Sequence, residues 1–342
     1  MKLLIVTQVI DLDDPILGFF HRWVGEFAKH FEHIEVICLK LGRHSLPTNV
    51  SLYSLGKEKK SSRIKYVARF GWLIWKLRPY YDHVFVHMNP EYVILGGLDW
   101  RIMGKKIFFW YNHPRDNWRL RLATHLAHRI FYTSPYSATA RVSRAVRMPA
   151  GIDTDIFKPQ PVTRNRYSLY MQGRVAPSKH VDIALAALRI IRKSVPEITL
   201  TIVGPEDETY GKQLREEFAD ILDAVMFLGP KPNRETPALY SAHSISINLA
   251  ADGHYDKSVL ESVACGTPVA LSSEAFGEKR EVESQNMFLL RDRTPEALSE
   301  MVLFMLKDYE RWEEQVDSAR RTVIEHHSLE KLAPRLIHEM EL

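Results

Sequence analysis

The chain has 342 residues, 45% apolar and 26% charged, with a formal net charge of +4, the profile of a soluble globular protein long enough for two domains. Its two cysteines, Cys38 and Cys265, exclude a disulfide framework and point to a reducing compartment, while MKLLIVTQVID is too briefly apolar for a signal-peptide core and no stretch has membrane-spanning length. Residues 1–160 hold 24 Lys and Arg against 13 Asp and Glu, and the remainder 22 against 29, so the first half is the one expected to meet something anionic.

In chain order, KLLIVT at 2–7 reads as a buried parallel strand. Phe20, Trp23, Val24, Phe27, Ala28 and Phe31 then recur at helical spacing. Strands follow at 34–39, 84–88, 107–111 and 130–133, separated by helices near 91–102 and 118–127. Residues 149–166, PAGIDTDIFKPQPVTRNR, carry three prolines and read as a hinge. A second series places strands near 168–172, 198–203, 225–228, 244–248 and 268–272, a helix at 178–194, and a helix capped by Thr294 with Pro295 next to it. Leu329, Leu332, Ala333, Leu336, Ile337 and Met340 form a last apolar stripe, interrupted by Pro334, that must dock on another element. Strands alternating with helices make parallel sheets covered on both faces. The expectation is therefore an α/β protein with two Rossmann-like domains, 1–155 and 156–325, facing a cleft, and a C-terminal helix, 326–342, returning to the first.

Open parallel sheets bind ligands beyond the carboxyl ends of their strands, so the loops there hold the candidates. Gln172-Gly173-Arg174-Val175-Ala176-Pro177-Ser178-Lys179 follows a strand and opens a helix. Gly173 permits a tight turn, and Lys179 in a first helical turn is disfavoured by the helix dipole by about 0.3–1 kcal/mol unless an anion such as a diphosphate joins it. The bland alternative is two solvated cations. Glu261 stands alone among Val259, Leu260, Val263 and Ala264, either as a satisfied structural acid or as an acceptor for paired hydroxyls. His113, in NHPRD, and His87 with Asn89 follow strands and are candidates for proton transfer or hydrogen bonding. Two Asp-x-Asp triplets, Asp11-Leu12-Asp13 and Asp153-Thr154-Asp155, have a spacing that can hold a divalent cation against phosphates, though the triplet is short and common. The basic, aromatic run 57–81 reads either as an interfacial helix, with Ile64, Val67, Ala68, Trp72, Leu73 and Trp75 on one face, or as an ordinary helix covering the first sheet.

Taken together, these segments resemble the family 4 retaining glycosyltransferases of GT-B architecture, which include glycogen and sucrose synthases and the mannosyltransferases of lipid glycosylation. MPAGIDTDIFKP is similar to the family's hinge, GRVAPSKHVDIALAAL to its donor-phosphate segment, VLESVACGTPVALS to its signature helix and NHPRD to its histidine loop. The resemblance implies a nucleotide diphosphate sugar donor, a glycan or lipid-linked acceptor, retention of configuration and no metal or other cofactor. It assigns the diphosphate to Arg174 and Lys179 beside Gly173, the ribose to Glu261, and the donor-sugar and acceptor side to His113. Gly18 maps onto the glycine loop facing the phosphates, and the run Asp256, Lys257, Ser258, Val259, Leu260 completes the donor set. One position departs from the pattern. Where the family has the first glutamate of Glu-x7-Glu, this chain has Gly253, with Asp252 one residue too early, and Asp256-Lys257 is the pair expected to take over the sugar contacts. A nucleotide-sugar epimerase of the same fold and a non-catalytic sugar sensor are the alternatives. No nucleic-acid partner is expected; a cytoplasmic protein, peripheral on an anionic membrane through 57–81, is.

Overall fold

The computed structural model describes residues 1–276 and 286–341. The chain divides into two compact units, one formed by Met1–Gly151 together with the chain from Leu329 onward, the other by Ile152–Ser328.

The first unit is built on seven parallel strands, β1 (Lys2–Ile10), β2 (His33–Leu41), β3 (Val50–Ser54), β4 (His83–His87), β5 (Lys106–Trp110), β6 (Arg129–Tyr132) and β7 (Ala145–Arg147). Their spatial order is β3-β2-β1-β4-β5-β6-β7. Side chains alternate across the strands, so β1 sends Leu3 and Ile5 to one core and Leu4 and Val6 to the other. The first core is covered by helix α1 (Gly18–Phe27), whose Phe20, Trp23, Val24 and Phe27 share a stripe, and by the C-terminal helix Leu329–Glu341. That helix presents Leu332, Ala333, Leu336 and Met340 inward and ties Glu339 to Arg129, as the apolar stripe required. It runs through Pro334, and Leu342 lies outside the described residues. Trp23 also donates its indole N–H to the Gly151 carbonyl at 2.8 Å. The second core is covered by α2 (Arg63–Lys76), α3 (Pro90–Ile102) and α4 (Trp118–Leu126). Ser62 and Asn117 cap α2 and α4 by accepting from Lys65 N and Leu120 N, and Pro90 opens α3 where no N–H is needed.

In the second unit β8 (Asn165–Gln172), β9 (Thr199–Val203), β10 (Val225–Phe227), β11 (His243–Asn248), β12 (Val269–Leu271) and β13 (Met287–Leu289) form a parallel sheet ordered β10-β9-β8-β11-β12-β13. One face packs on α5 (Val181–Ile191), through Ala184, Leu185, Leu188 and Ile191, and on the helix Pro295–Lys307. Thr294 caps that helix at Ala297 N, 3.2 Å away. The helices α6 (Glu208–Glu217), α7 (Thr236–Ala242) and α8 (Lys257–Ala264) complete the set needed below. Both sheets thus repeat one Rossmann order, with the reversal between β1 and β4 in the first and between β8 and β11 in the second, where such sheets hold ligands.

Three short edge strands, β3, β7 and β13, are absent from the reading of the sequence because none is a long apolar run. The helix expected from 178 starts three residues later. Pro177–Lys179 is a separate 3-10 turn, and His180, at φ 51°, breaks it from α5. Lys179 therefore stands just ahead of the helix and not in its first turn. Among the described residues no helix is long and apolar enough to cross a membrane.

Candidate functional site

The switch point of the second sheet brings together two loops. One leaves β8 at Gln172 and runs through Gly173 to Lys179; the other leaves β11 at Asn248 and runs to Asp256, just ahead of α8. Gly173 sits at φ +152°, and a Cβ there would lie 3.6 Å from the Lys179 side chain. The carbonyl of Gly173 in turn presses on Gly204, at the end of β9, where a Cβ would fall 1.8 Å from it. Glycine at 204 is what allows the two backbones to touch, a role the sequence reading missed because one glycine after a strand carries no distinctive spacing.

Across the switch point Lys179 Nζ is paired with Asp256, 77 residues away in sequence. Asn248 Nδ2 donates to Asp256 Oδ2 at 3.2 Å and to Ser258 Oγ at 3.0 Å, while its Oδ1 accepts from Ala250 N. Burial works to raise the Asp256 pKa, but the Lys179 ammonium and the Asn248 amide outweigh it and hold the carboxyl below its ordinary value. Asn248 was not anticipated; the signal was an asparagine at the carboxyl end of the alternating strand SISIN. Arg174 is exposed on the same loop as Lys179.

Helix α8 carries Lys257 and Glu261 one turn apart, with Val259 and Leu260 in the core. Glu261 is buried and its Oε2 accepts from Tyr240 OH at 3.5 Å. Burial pushes the Glu261 carboxyl up and the Lys257 ammonium down, and the charge of each opposes the shift of the other. A buried acid supported at one oxygen by a tyrosine is suited to accepting hydroxyl hydrogens. Gly266 ends the helix at φ +78°.

Gly253 lies in a turn closed by His254 N donating to Ala251 O at 3.1 Å, and its φ is +78°. The departure from Glu-x7-Glu thus coincides with a backbone conformation that favours glycine. Asp252 is turned to Arg293, whose Nη2 reaches it at 2.6 Å.

In the first unit, Gly18 begins α1, with its N–H donated to Asp14 O at 3.0 Å. His113 Nδ1 accepts from Arg115 N at 3.0 Å, which puts the proton of the neutral ring on Nε2. Asn112 Oδ1 holds the same loop by accepting from Thr133 N and Ser134 N. His87 is buried and stacked on Phe20 at 4.2 Å, a core residue. The Asp-x-Asp triplets are otherwise engaged: Asp13 is bidentate with Arg43, Asp11 lies 3.6 Å from Lys40, and Asp153 Oδ1 accepts from the N–H of Asp155. Among the described residues no three His, Cys, Asp or Glu side chains cluster as metal ligands.

The run 57–81 folds as α2 between two short 3-10 turns, a helix that covers the first sheet. Phe70, Leu73, Ile74 and Leu77 cover the sheet, so Leu73 belongs to the core and not to an interfacial face. Ile64 and Trp72 remain 82% and 56% exposed, and Lys76 lies over the Trp72 ring.

Comparison with known proteins follows the same lines. The chain is 31% identical over 140 residues to a D-inositol 3-phosphate glycosyltransferase of Acidothermus cellulolyticus, covering 36% of this chain and 31% of that protein. It is 30% identical over 142 residues to a GDP-mannose-dependent alpha-(1-6)-phosphatidylinositol monomannoside mannosyltransferase of Mycolicibacterium smegmatis, covering 36% of each. These matches span about a third of the relatives' length. Among solved structures, Anabaena HepE in complex with UDP superposes over 100% of both chains with a TM-score of 0.79 at 17% identity. Sucrose-phosphate synthase of Thermosynechococcus elongatus gives 0.80 at 17% identity over 99% and 98%. Residues 152–322, half the chain and the whole of the loop-and-helix arrangement around Lys179 and Glu261, match the family of glycosyl transferases group 1, and the chain belongs to that family.

Proposed function

We propose that this protein transfers a sugar from a nucleotide diphosphate sugar to a hydroxyl of a glycan or lipid-linked acceptor, with retention of configuration and without a metal. The observation that carries this reading is the Lys179–Asp256–Asn248 cluster at the switch point, with buried Glu261 one turn and a half along the helix that starts beside it. A relative named for GDP-mannose and a solved neighbour holding UDP support a nucleoside diphosphate in this role.

In this reading Lys179 exchanges Asp256 for the diphosphate, and Arg174 swings onto the same oxygens. Both cations stabilise the charge that develops as the sugar leaves, the electrostatic task a metal performs in other transferases. Glu261 accepts the ribose hydroxyls. Asp256 and Lys257, with the Gly253 turn, face the transferred sugar. His113, with its proton fixed on Nε2, serves as a hydrogen-bond donor on the acceptor side. The exposed apolar side chains and cations of 57–81 support an acceptor presented at an anionic membrane surface.

The test is transfer from UDP- and GDP-sugars, with and without EDTA, and the anomer of the product read by NMR. Arg174→Ala and Lys179→Ala are each expected to lower turnover by about 10² or more. Turnover near normal in both variants, or activity lost to EDTA and restored by Mn²⁺, refutes the assignment.

A further inference from the structure

The switch point of the first sheet holds a cavity that the donor reading leaves unused. It has a volume of 340 Å³, within the roughly 300–1,000 Å³ of small-molecule sites. Its floor is Leu55, Phe70 and Tyr92, all buried, and its walls include Tyr66, Val67 and Leu95. The cause lies in α2. Residues 63, 66, 67, 70 and 74 share one face of that helix. In the second half this face is packed, with Phe70 and Ile74 buried. In the first half it lines the cavity instead, and Val67 is left 48% exposed. An apolar stripe that ends in an open pocket is half of a binding site.

The lining also carries Gln8, Arg63, Asn89 and Glu91. Gln8 of β1 donates to Asn89 Oδ1 at 2.8 Å, bridging the two strands of the switch point. Arg63 belongs to the lining and is exposed, and Lys59, Lys60, Lys65 and Arg69 lie on the same segment. The single carboxylate of the lining, Glu91, lies 3.7 Å from Arg119. An apolar interior with an exposed arginine in its lining is complementary to an amphiphile bearing an anionic group.

We propose that this pocket binds the hydrocarbon chain of an anionic amphiphile, with its phosphate or carboxylate on Arg63, and that this amphiphile is the acceptor. Naming the ligand as acceptor rests on the transferase reading; the binding of the chain does not, and is measured without donor. The experiment titrates the protein with monomeric decyl phosphate, with inorganic phosphate, and with phosphatidylglycerol vesicles, following intrinsic fluorescence. Val67→Trp and Leu95→Trp place a larger side chain in the pocket from positions 48% and 44% exposed; melting curves of the same samples report folding, and binding of UDP or GDP reports the donor site separately. Saturable decyl phosphate binding that weakens by about tenfold or more in each filled variant supports the site. Weakening in Arg63→Glu, with inorganic phosphate alone failing to bind, supports the placement of the head group. No saturable binding, or equal binding in the filled variants, overturns the proposal. Binding to vesicles only, untouched by filling, also overturns it and leaves a surface patch. Decyl phosphate binding by a protein that takes neither UDP nor GDP supports the pocket while overturning the donor reading.

Discussion

Replacing Asp256 by Asn separates a functional ion pair from a structural one, because the two give effects of opposite sign. Lys179 and Asp256 side chains are 17% and 24% exposed, so the pair is neither fully solvated nor deeply buried. A diphosphate bound to Lys179 would stand about 5–6 Å from the Asp256 carboxylate. With an effective dielectric of about 40, between the surface-site and bulk-water values, the repulsion is about 1.5 kcal/mol. Asp256→Asn removes it while Asn keeps the size and a hydrogen-bonding oxygen for Asn248. UDP or GDP should therefore bind about tenfold more tightly to the variant. Folding stability should fall by about 1 kcal/mol, since Lys179 loses its partner in the empty site, which lowers Tm by roughly 2–4 °C. Transfer of the sugar should fall as well, because Asp256 is assigned to the sugar. Calorimetric titration, melting curves and turnover read the three effects on one preparation. Nucleotide binding that weakens in Asp256→Asn would show that the pair is needed to shape the loop, and the competition between Asp256 and diphosphate would be wrong.

Other perturbations address the backbone and pH. Gly204→Ala forces a Cβ onto the Gly173 carbonyl and should cost about 2–3 kcal/mol and loosen nucleotide binding; an unchanged Tm would mean the loops part without penalty. Gly253→Glu restores the family's usual side chain at φ +78°, and is expected to lose about 1–2 kcal/mol and gain no activity; faster transfer would contradict the view that this turn needs glycine. His21 is buried, and burial first, then the charge of Arg22, lowers its pKa to about 4. The unfolded chain binds this proton from about pH 6.5 downward and the folded protein only near 4, so stability should fall by up to about 3 kcal/mol across that window as pH drops. His21→Gln, which keeps an acceptor for Ser45 N, should flatten the slope; an identical slope places the titration elsewhere.

What could be read from the sequence was local. The central strands of the first sheet carry apolar runs, Leu3–Val6 in β1 and Val84–Val86 in β4, and α1, α5 and the C-terminal helix announce themselves by spacing. The edge strand Ala145–Arg147 has only three residues, too few for a periodicity that would distinguish it from loop. Lys179 and Glu261 were visible as charges at the ends of strands and within an apolar helix. Their pairings were not, because Lys179 meets Asp256, and Asp256 meets Asn248, only through strand order, and Tyr240 reaches Glu261 from a separate helix. The break at His180 was hidden for a different reason: Pro177 is as acceptable in a 3-10 turn as at the start of an α-helix.

The claim at the centre is that Lys179 holds the diphosphate of a nucleotide sugar, and one titration reaches it. UDP and GDP are added to the wild-type protein and to Lys179→Ala, with EDTA present, and heat is recorded. At least one nucleotide should bind the wild type in the micromolar range and bind Lys179→Ala about tenfold or more weakly. Equal affinity for both proteins, or binding by neither, contradicts it.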